Sequence, residues 1–441
     1  MNADSIDLSR YEKLLERINP IRIHGKVSEI VGLMVEGNGP AASIGDICGI
    51  VPVNGDHPLE AEVVGFRNGR VLLMPLQSIQ GLGPGCKILS LGRKAAVGVG
   101  NSLLGRVIDG LGNPIDNKGP IDFTDEYPIY SDPINPLDRG RIIEPMDLGI
   151  RALNALFTCG KGQRMGIFAG SGVGKSVLMG MIALNTKADV NVIGLIGERG
   201  REVREFLEKN LGEEGLKRSV VVVAASDMHP LVRMRAAYVA TAVSEYFRDQ
   251  GNDVLLMVDS LTRFAMAQRE IGLSVGEPPT TKGYTPSVFS LLPKLLERSG
   301  IVEGVGSITG LYTVLVEGDD FNEPISDAAR SILDGHISLS RSLAHNNHYP
   351  AIDVLQSISR VMVDIVDKEQ KNKASELLNV VATYKKAEDL INIGAYVQGS
   401  NPGIDHAVKM IDKVNAFLRQ NTAERVDFES AKTQLLELLK E

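Results

Sequence analysis

Apolar positions along the chain change their period several times, and each change marks a new kind of structure. Residues 5–19 carry Leu8, Tyr11, Leu14, Leu15 and Ile18 at helical spacing, with charges between them, and the pattern stops at Asn19-Pro20. An isolated helix of this length is marginal in water, so it docks either on its own chain or on an outside partner. From Ile21 to about Leu91 the period becomes two. Ile21, Ile23 and Val27 alternate with polar residues, and residues 63–66 face residues 71–74 across Asn68-Gly69, a strong hairpin turn. Glycine and proline punctuate this region at short intervals, which predicts a small closed barrel or sandwich. Residues 92–150 are rich in Gly, Pro and Asp and read as an extended connector, long for a plain loop. Beyond Gly149 strands and helices alternate. The apolar runs 190–196, 220–224 and 254–258 have the length of buried parallel strands in a doubly wound sheet. After about Asp364 the spacing is helical to the end, through Leu377, Leu378, Val381 and Tyr384, then Ile404, Val408, Ile411 and Leu418, then Leu435, Leu436 and Leu439.

One stretch inside the alternating region carries chemistry. Ala169-Gly-Ser-Gly-Val-Gly-Lys175-Ser176 follows a short apolar run and leads into Val177-Leu-Met-Gly-Met-Ile-Ala-Leu184, which reads as strand, glycine-rich loop and helix. Such a loop, at the sheet's edge, wraps phosphate: Gly170, Gly172 and Gly174, with Ser171, Val173 and Val177 around them, let backbone N–H groups converge on the oxygens. Lys175 adds a point charge on the terminal phosphates, and the Ser176 hydroxyl can ligate Mg²⁺. Ala169 stands where the pattern usually has its first glycine. Two acids join this loop. Asp259 ends the apolar run 254–258, where it can hold Mg²⁺ through water beside Ser176. Glu198 follows the run 190–196; its spacing fits either a residue that polarises the attacking water or a solvated charge in a Glu/Arg-rich helix start.

Composition narrows the setting. At 441 residues the chain expects two or three domains, and 43% hydrophobic with 23% charged residues is the balance of a soluble globular protein. No apolar run reaches the 18 or so residues of a membrane span, and the N-terminus has no signal core, which points to the cytoplasm. Cys48, Cys86 and Cys159 are far apart and read as buried thiols. A net charge of −8 argues against a nucleic-acid partner.

Three separated stretches, Gly197-Glu-Arg-Gly-Arg-Glu-Val-Arg-Glu-Phe206, Asp259-Ser-Leu-Thr-Arg-Phe-Ala-Met-Ala-Gln-Arg269 and Pro350-Ala-Ile-Asp-Val-Leu-Gln-Ser-Ile-Ser-Arg360, resemble the signatures of the rotary ATP synthase catalytic subunit superfamily. The run from Gly276-Glu-Pro-Pro to Arg298-Ser-Gly300 resembles its protein-export branch, the flagellum-specific ATPases and their type III secretion (injectisome) relatives. The resemblance covers essentially the whole chain. It implies an α/β fold with a RecA-like P-loop ATPase core over residues 93–364, an N-terminal β-barrel over 21–92, a C-terminal helical domain over 365–441 and a partner-binding amphipathic helix over 1–20. It implies ATP and Mg²⁺ as cofactors, Glu198 as the catalytic glutamate with Arg199 beside it to assist, and Tyr349 as the aromatic packed on adenine. Arg360 matches an arginine that reaches into a neighbouring subunit's site, so the resemblance implies a homohexameric ring. Further implied partners are a stator-like regulatory protein at the N-terminal helix, a central stalk protein, membrane proteins of the export gate, and export chaperones with their substrates. Residues 270–277 either face the ring's pore or form a plain surface loop.

The function so implied is ATP hydrolysis that energises flagellar protein export at the inner face of the basal body. An injectisome ATPase shares every catalytic motif, although Ile391-Asn-Ile-Gly-Ala-Tyr396 and Gly399-Ser-Asn-Pro402 resemble flagellar versions more. A hexameric RNA translocase would need a basic, aromatic-bearing barrel surface, and residues 21–92 offer Phe66 as their single aromatic. A purely structural ring subunit is disfavoured by Lys175, Glu198, Asp259 and Arg360 together.

Overall fold

A computed structural model describes residues 24–440 apart from 54, 56, 317 and 319. The helix expected over 5–19 and the first positions of the alternating region, Ile21 and Ile23, lie outside the described residues. Those residues divide into two compact units, the first ending at Ala95 and the second beginning at Ala96.

The first unit is a closed antiparallel barrel. Its strands are β1 (His24–Val31), β2 (Met34–Asn38), β3 (Asp46–Val51), β4 (Leu59–Arg67), β5 (Arg70–Pro75) and β6 (Lys87–Lys94), in the order β1-β2-β5-β4-β3-β6. The two-residue period is what fills it. Val27, Val35, Ile50, Val63, Leu73 and Ile88 are buried together in its core, although Met34, Leu72 and Met74 beside them are buried as well. Asn68 and Gly69, at φ 49° and 76°, make the tight β4–β5 turn, the backbone that Asn-Gly adopts most readily. Cys48 and Cys86 lie in this core and Cys159 in the second unit, all buried and unpaired; burial, with Asp46 nearby, pushes the Cys48 thiol up to about 11.

The second unit is built on a nine-stranded sheet of β7 (Val107–Asp109), β8 (Arg164–Ala169), β9 (Val190–Ile196), β10 (Ser219–Ala224), β11 (Asp253–Asp259), β12 (Gly300–Val302), β13 (Gly306–Leu315), β14 (Gly335–Leu339) and β15 (Ile358–Ser359). The lateral order is β15-β14-β8-β13-β11-β9-β10-β7, with β12 pairing antiparallel to β13. The six strands from β14 to β10, and β7 beyond them, pair in parallel. Every residue of β9 and β10 is buried, because helices cover both faces of a parallel sheet. The strand that feeds the phosphate loop, β8, lies between β14 and β13. The loop therefore stands on the C-terminal rim of an interior strand and not at a lateral edge of the sheet, since a wholly apolar run is best paired on both sides.

Two expectations change here. The stretch 92–150 carries short strands of its own between irregular segments: Ala96–Val99 pairs with Asp125–Pro128, and β7 extends the main sheet beside β10. Gly, Pro and Asp cut these strands to three or four residues, too short for a period to show. Asp116 closes the segment, accepting from Arg106 Nε at 2.7 Å and Nη2 at 2.9 Å. In the C-terminal helices α4 (Lys368–Asn392), α5 (Pro402–Leu418) and α6 (Phe428–Leu438), the buried stripe of α5 is Ala407, Met410, Val414 and Phe417. Of the stripe read from sequence, Leu418 is buried, Val408 is exposed and Ile404 and Ile411 are half-buried.

Candidate active site

The phosphate loop is a backbone device. Ala169 is the last residue of β8, buried, and paired with Leu315 on one side and Leu339 on the other. The usual first glycine thus falls on ordinary strand backbone here, and an alanine fits. The bend comes later, where Gly172 and Gly174 take φ 78° and 88°, which a side chain would resist. Gly174 caps helix Lys175–Asn185, whose first turn carries Lys175 and Ser176. Val173 is buried as the loop's anchor, while Ser171, Ser176 and Val177 are exposed. Backbone N–H groups and a helix N-terminus facing one concavity favour an anion.

Both acids meet the lysine there. Lys175 Nζ lies 2.5 Å from Asp259 Oδ1 and 3.4 Å from Glu198 Oε1. Asp259, at the end of β11, also accepts from Thr313 Oγ1 at 2.7 Å and is 3% exposed. Burial works against the Lys175 ammonium, but Asp259 and Glu198 outweigh it and hold its pKa above the ordinary lysine value. Glu198 is pushed up to about 7, chiefly by burial; Lys175 opposes the rise, and Asp259 and Glu202 add to it. Glu202 in turn is held below the usual range by the hydrogen bond it shares with Glu198. Gly197, at φ 70°, lets Glu198 approach this closely, because a Cβ there would sit 2.8 Å from Arg263 Cβ.

Lys175, Gly197, Glu198, Glu202 and Arg263 line a cavity of about 640 Å³ on the rim of the sheet, with Asp259 buried behind Lys175. Arg199 lines it too, but its side chain is 79% exposed and leans on Glu202 at 3.6 Å. A second cavity, of about 970 Å³, shares Gly174 and Val177 as a wall with the first. Tyr349 lines it, its ring 3.4 Å from where a Cβ of Gly174 would stand, and its opposite side is a turn of the C-terminal helical region. Phosphates in the first cavity and a base in the second would join across Gly174. Arg360 is not among the lining residues of either. It follows β15, at the lateral end of the sheet, exposed, with its backbone N–H on Asp334 O at 3.0 Å.

Comparison with known proteins agrees with this geometry. The nucleotide-binding domain of the ATP synthase alpha/beta family matches residues 149–359, the beta-barrel domain of that family matches 27–92, and the T3SS EscN ATPase C-terminal domain matches 366–437. The flagellum-specific ATP synthase of Bacillus subtilis (strain 168) is 53% identical over 412 residues, covering 93% of this chain and 94% of its own. The chain belongs to the ATP synthase alpha/beta family. Within that family its relatives include the type 3 secretion system ATPase of Xanthomonas euvesicatoria, 52% identical over 95% of this chain and 93% of its own. The assembled ATPase EscN of the enteropathogenic E. coli type III secretion system superposes with a TM-score of 0.89 at 46% identity, over 94% of this chain and 99% of its own. A second EscN structure, in complex with its central stalk EscO, gives a TM-score of 0.87. This family member is a type III export ATPase by fold and sequence alike.

Sequence reasoning passed over residues that the fold brings to the phosphate cavity. Arg263, in the first turn of helix Leu261–Val275, lines it beside Thr262, and Arg341 lines it from the start of helix Arg341–His345. Arg263 lies within the stretch used for the resemblance, so its position four residues beyond Asp259, one helical turn away, was the available signal. Arg341 follows β14, a strand whose place beside β8 no local pattern discloses.

Proposed function

We infer that this chain is the ATPase of a flagellar protein-export apparatus. It works as a homohexameric ring at the cytoplasmic face of the basal body, releasing export substrates from their chaperones and helping them enter the gate. The observation that carries the chemistry is the convergence of Lys175, Glu198 and Asp259 beneath a glycine loop whose N–H groups favour an anion. The flagellum-specific relatives carry the physiology, and the EscN complex with EscO supports a central stalk as a partner here.

The residues fit a magnesium nucleotide. Ser176 and Asp259 offer hard oxygen donors at the loop, and Mg²⁺ bound to phosphates needs only one or two such ligands. Among the described residues no cluster of three or more His, Cys, Asp or Glu side chains stands ready to hold a metal by itself. Bound there, the ion would neutralise charge on the phosphate oxygens. The chain's own residues do the rest. Lys175 exchanges its two carboxylates for the terminal phosphates. Glu198, poised near 7, orients the attacking water and takes up its proton at neutral pH. Tyr349 offers a π face to the base. Arg360, exposed at the far lateral end of the sheet, reaches the neighbouring subunit's phosphates, with Arg199 a lesser aid at the chain's own site.

Replacing the chromosomal allele by Lys175→Ala and scoring filaments and secreted proteins tests this reading. Loss of filaments with other secretion intact is the expected result. Intact filaments with loss of another exported set would instead select the injectisome reading, which the 52% identity to a type 3 secretion ATPase keeps in play.

A further inference from the structure

The wall of the second cavity opposite Tyr349 is the turn between helices α5 and α6, and one buried arginine holds it there. Arg151 opens the short helix Arg151–Leu156, ahead of β8, and is 8% exposed. Its Nη1 donates to Phe417 O and to Arg419 O, each at 2.9 Å, and its Nη2 pairs with the Glu424 carboxylate. Its guanidinium lies 5.9 Å from the centroid of the Phe417 ring. Phe417 O is one of the last carbonyls of α5, which no residue of its own chain turn satisfies electrostatically: α5 has no basic residue in its last turn. A helix C-terminus carries partial negative charge and unsatisfied carbonyls, so a cation from a distant segment is placed where it stabilises most. The flat guanidinium fork serves two carbonyls and a carboxylate together, which a lysine ammonium on a flexible stem does less well.

Gln420 completes the connection. Its Oε1 accepts from the Arg151 backbone N–H at 2.7 Å, and its Nε2 donates to Gly149 O at 2.9 Å and Glu424 O at 2.8 Å. Its own backbone N–H donates to Tyr349 O at 3.0 Å. The aromatic face of the cavity and the wall facing it are therefore tied through a single buried glutamine, while the Arg151 side chain holds the same turn through Phe417 O, Arg419 O and Glu424. We propose that Arg151 is a positioning residue for the nucleotide base: acting through Glu424 and the carbonyls of Phe417 and Arg419, it fixes the turn 419–424 at the base's distance from Tyr349. It borders the second cavity but not the phosphate cavity, and its effect is confined to ligands that carry a base. The proposal rests on the reading of the two cavities as one nucleotide site.

The test compares ATP with inorganic tripolyphosphate, which shares the charge but has no base, each titrated with Mg²⁺ into the full chain. Wild-type protein that binds neither ligand would refute the nucleotide reading itself. Given wild-type binding of both, Arg151→Lys is expected to weaken ATP about ten-fold, the effect of one lost positioning contact, while tripolyphosphate moves less than about two-fold. KM for ATP rises by a larger factor than kcat falls. Equal weakening of both ligands would reduce Arg151 to a structural residue, and unchanged ATP affinity would remove it from the site. Should Arg151→Lys unfold, Glu424→Gln carries the same comparison, because the Glu424 side chain is 36% exposed and tolerates an isosteric amide. An unchanged ratio in that variant overturns the proposal equally.

Discussion

The lysine of the phosphate loop is paired with two carboxylates, and this shapes what each acid can do. Asp259 Oδ1 accepts from Lys175 and Thr313 and the residue is nearly inaccessible, so its place is to anchor. Glu198 is the looser partner at 3.4 Å, and burial keeps its proton on until about pH 7. Because its folded pKa stands above the ordinary 4.5, Glu198 costs the fold nothing below about pH 4.5. The cost of ionising it accumulates as the pH rises through about 7. Glu198→Gln removes that cost, so its melting temperature should gain on wild type between pH 5 and pH 8 in nucleotide-free protein. A gap independent of pH would show that Glu198 titrates normally. For the same reason kcat/KM should rise with pH through about 7, where the free enzyme's base ionises.

At the scale of elements, one buried pair fastens the export-type segment to the sheet's covering helices. Arg298 is fully buried, gives Glu245 two hydrogen bonds at 2.8 Å and 2.5 Å, and donates to Ile129 O at 2.6 Å. It joins the end of helix Pro286–Leu296 to helix Pro230–Asp249. Arg298→Met leaves the Glu245 carboxylate buried and alone and should cost about 3–5 kcal/mol in urea unfolding. The double variant with Glu245→Leu should recover much of that loss. A single variant as stable as wild type would mean that water reaches the site.

The elements themselves were unequally legible. Strands β9, β10 and β11 stand out in the sequence because they are unbroken apolar runs, and the barrel because one face of it meets water. β13 was passed over, although it is a central strand that pairs with both β8 and β11. Its residues, Gly306-Ser-Ile-Thr-Gly-Leu-Tyr-Thr-Val-Leu315, mix glycine and hydroxyl side chains into the run, and burial of Ser307, Thr309 and Thr313 shows why they disguise it. The site was legible in the same measure. Lys175, Ser176 and Asp259 announce themselves by local context. Arg263, Arg341 and Arg151 reach the cavities only through the lateral order of strands and the docking of helices, which no local spacing encodes.

Across the whole molecule, the notable separation is between Arg360 and the residues it is meant to serve. The phosphate cavity opens on the rim of strands β14 to β10, whereas Arg360 follows the edge strand β15 outside it and lines neither cavity. In the proposed ring these two flanks would meet from different chains. Lys175→Ala and Arg360→Ala chains should each be nearly inactive alone, the second by a factor of roughly 10³–10⁵. Mixed, they should regain part of the activity, since some interfaces then pair an intact lysine with an intact arginine. Absence of any recovery in mixed rings would place Arg360 in its own chain's site or outside catalysis.

Hydrolysis by the assembled chain tests the central claim most directly. Phosphate release from saturating MgATP should fall about 10²–10⁴-fold in Glu198→Gln while ATP still binds, because the variant keeps the loop and Lys175 but lacks a base for the water. A Glu198→Gln protein that hydrolyses ATP at the wild-type rate would contradict the assignment of this site as the catalytic centre.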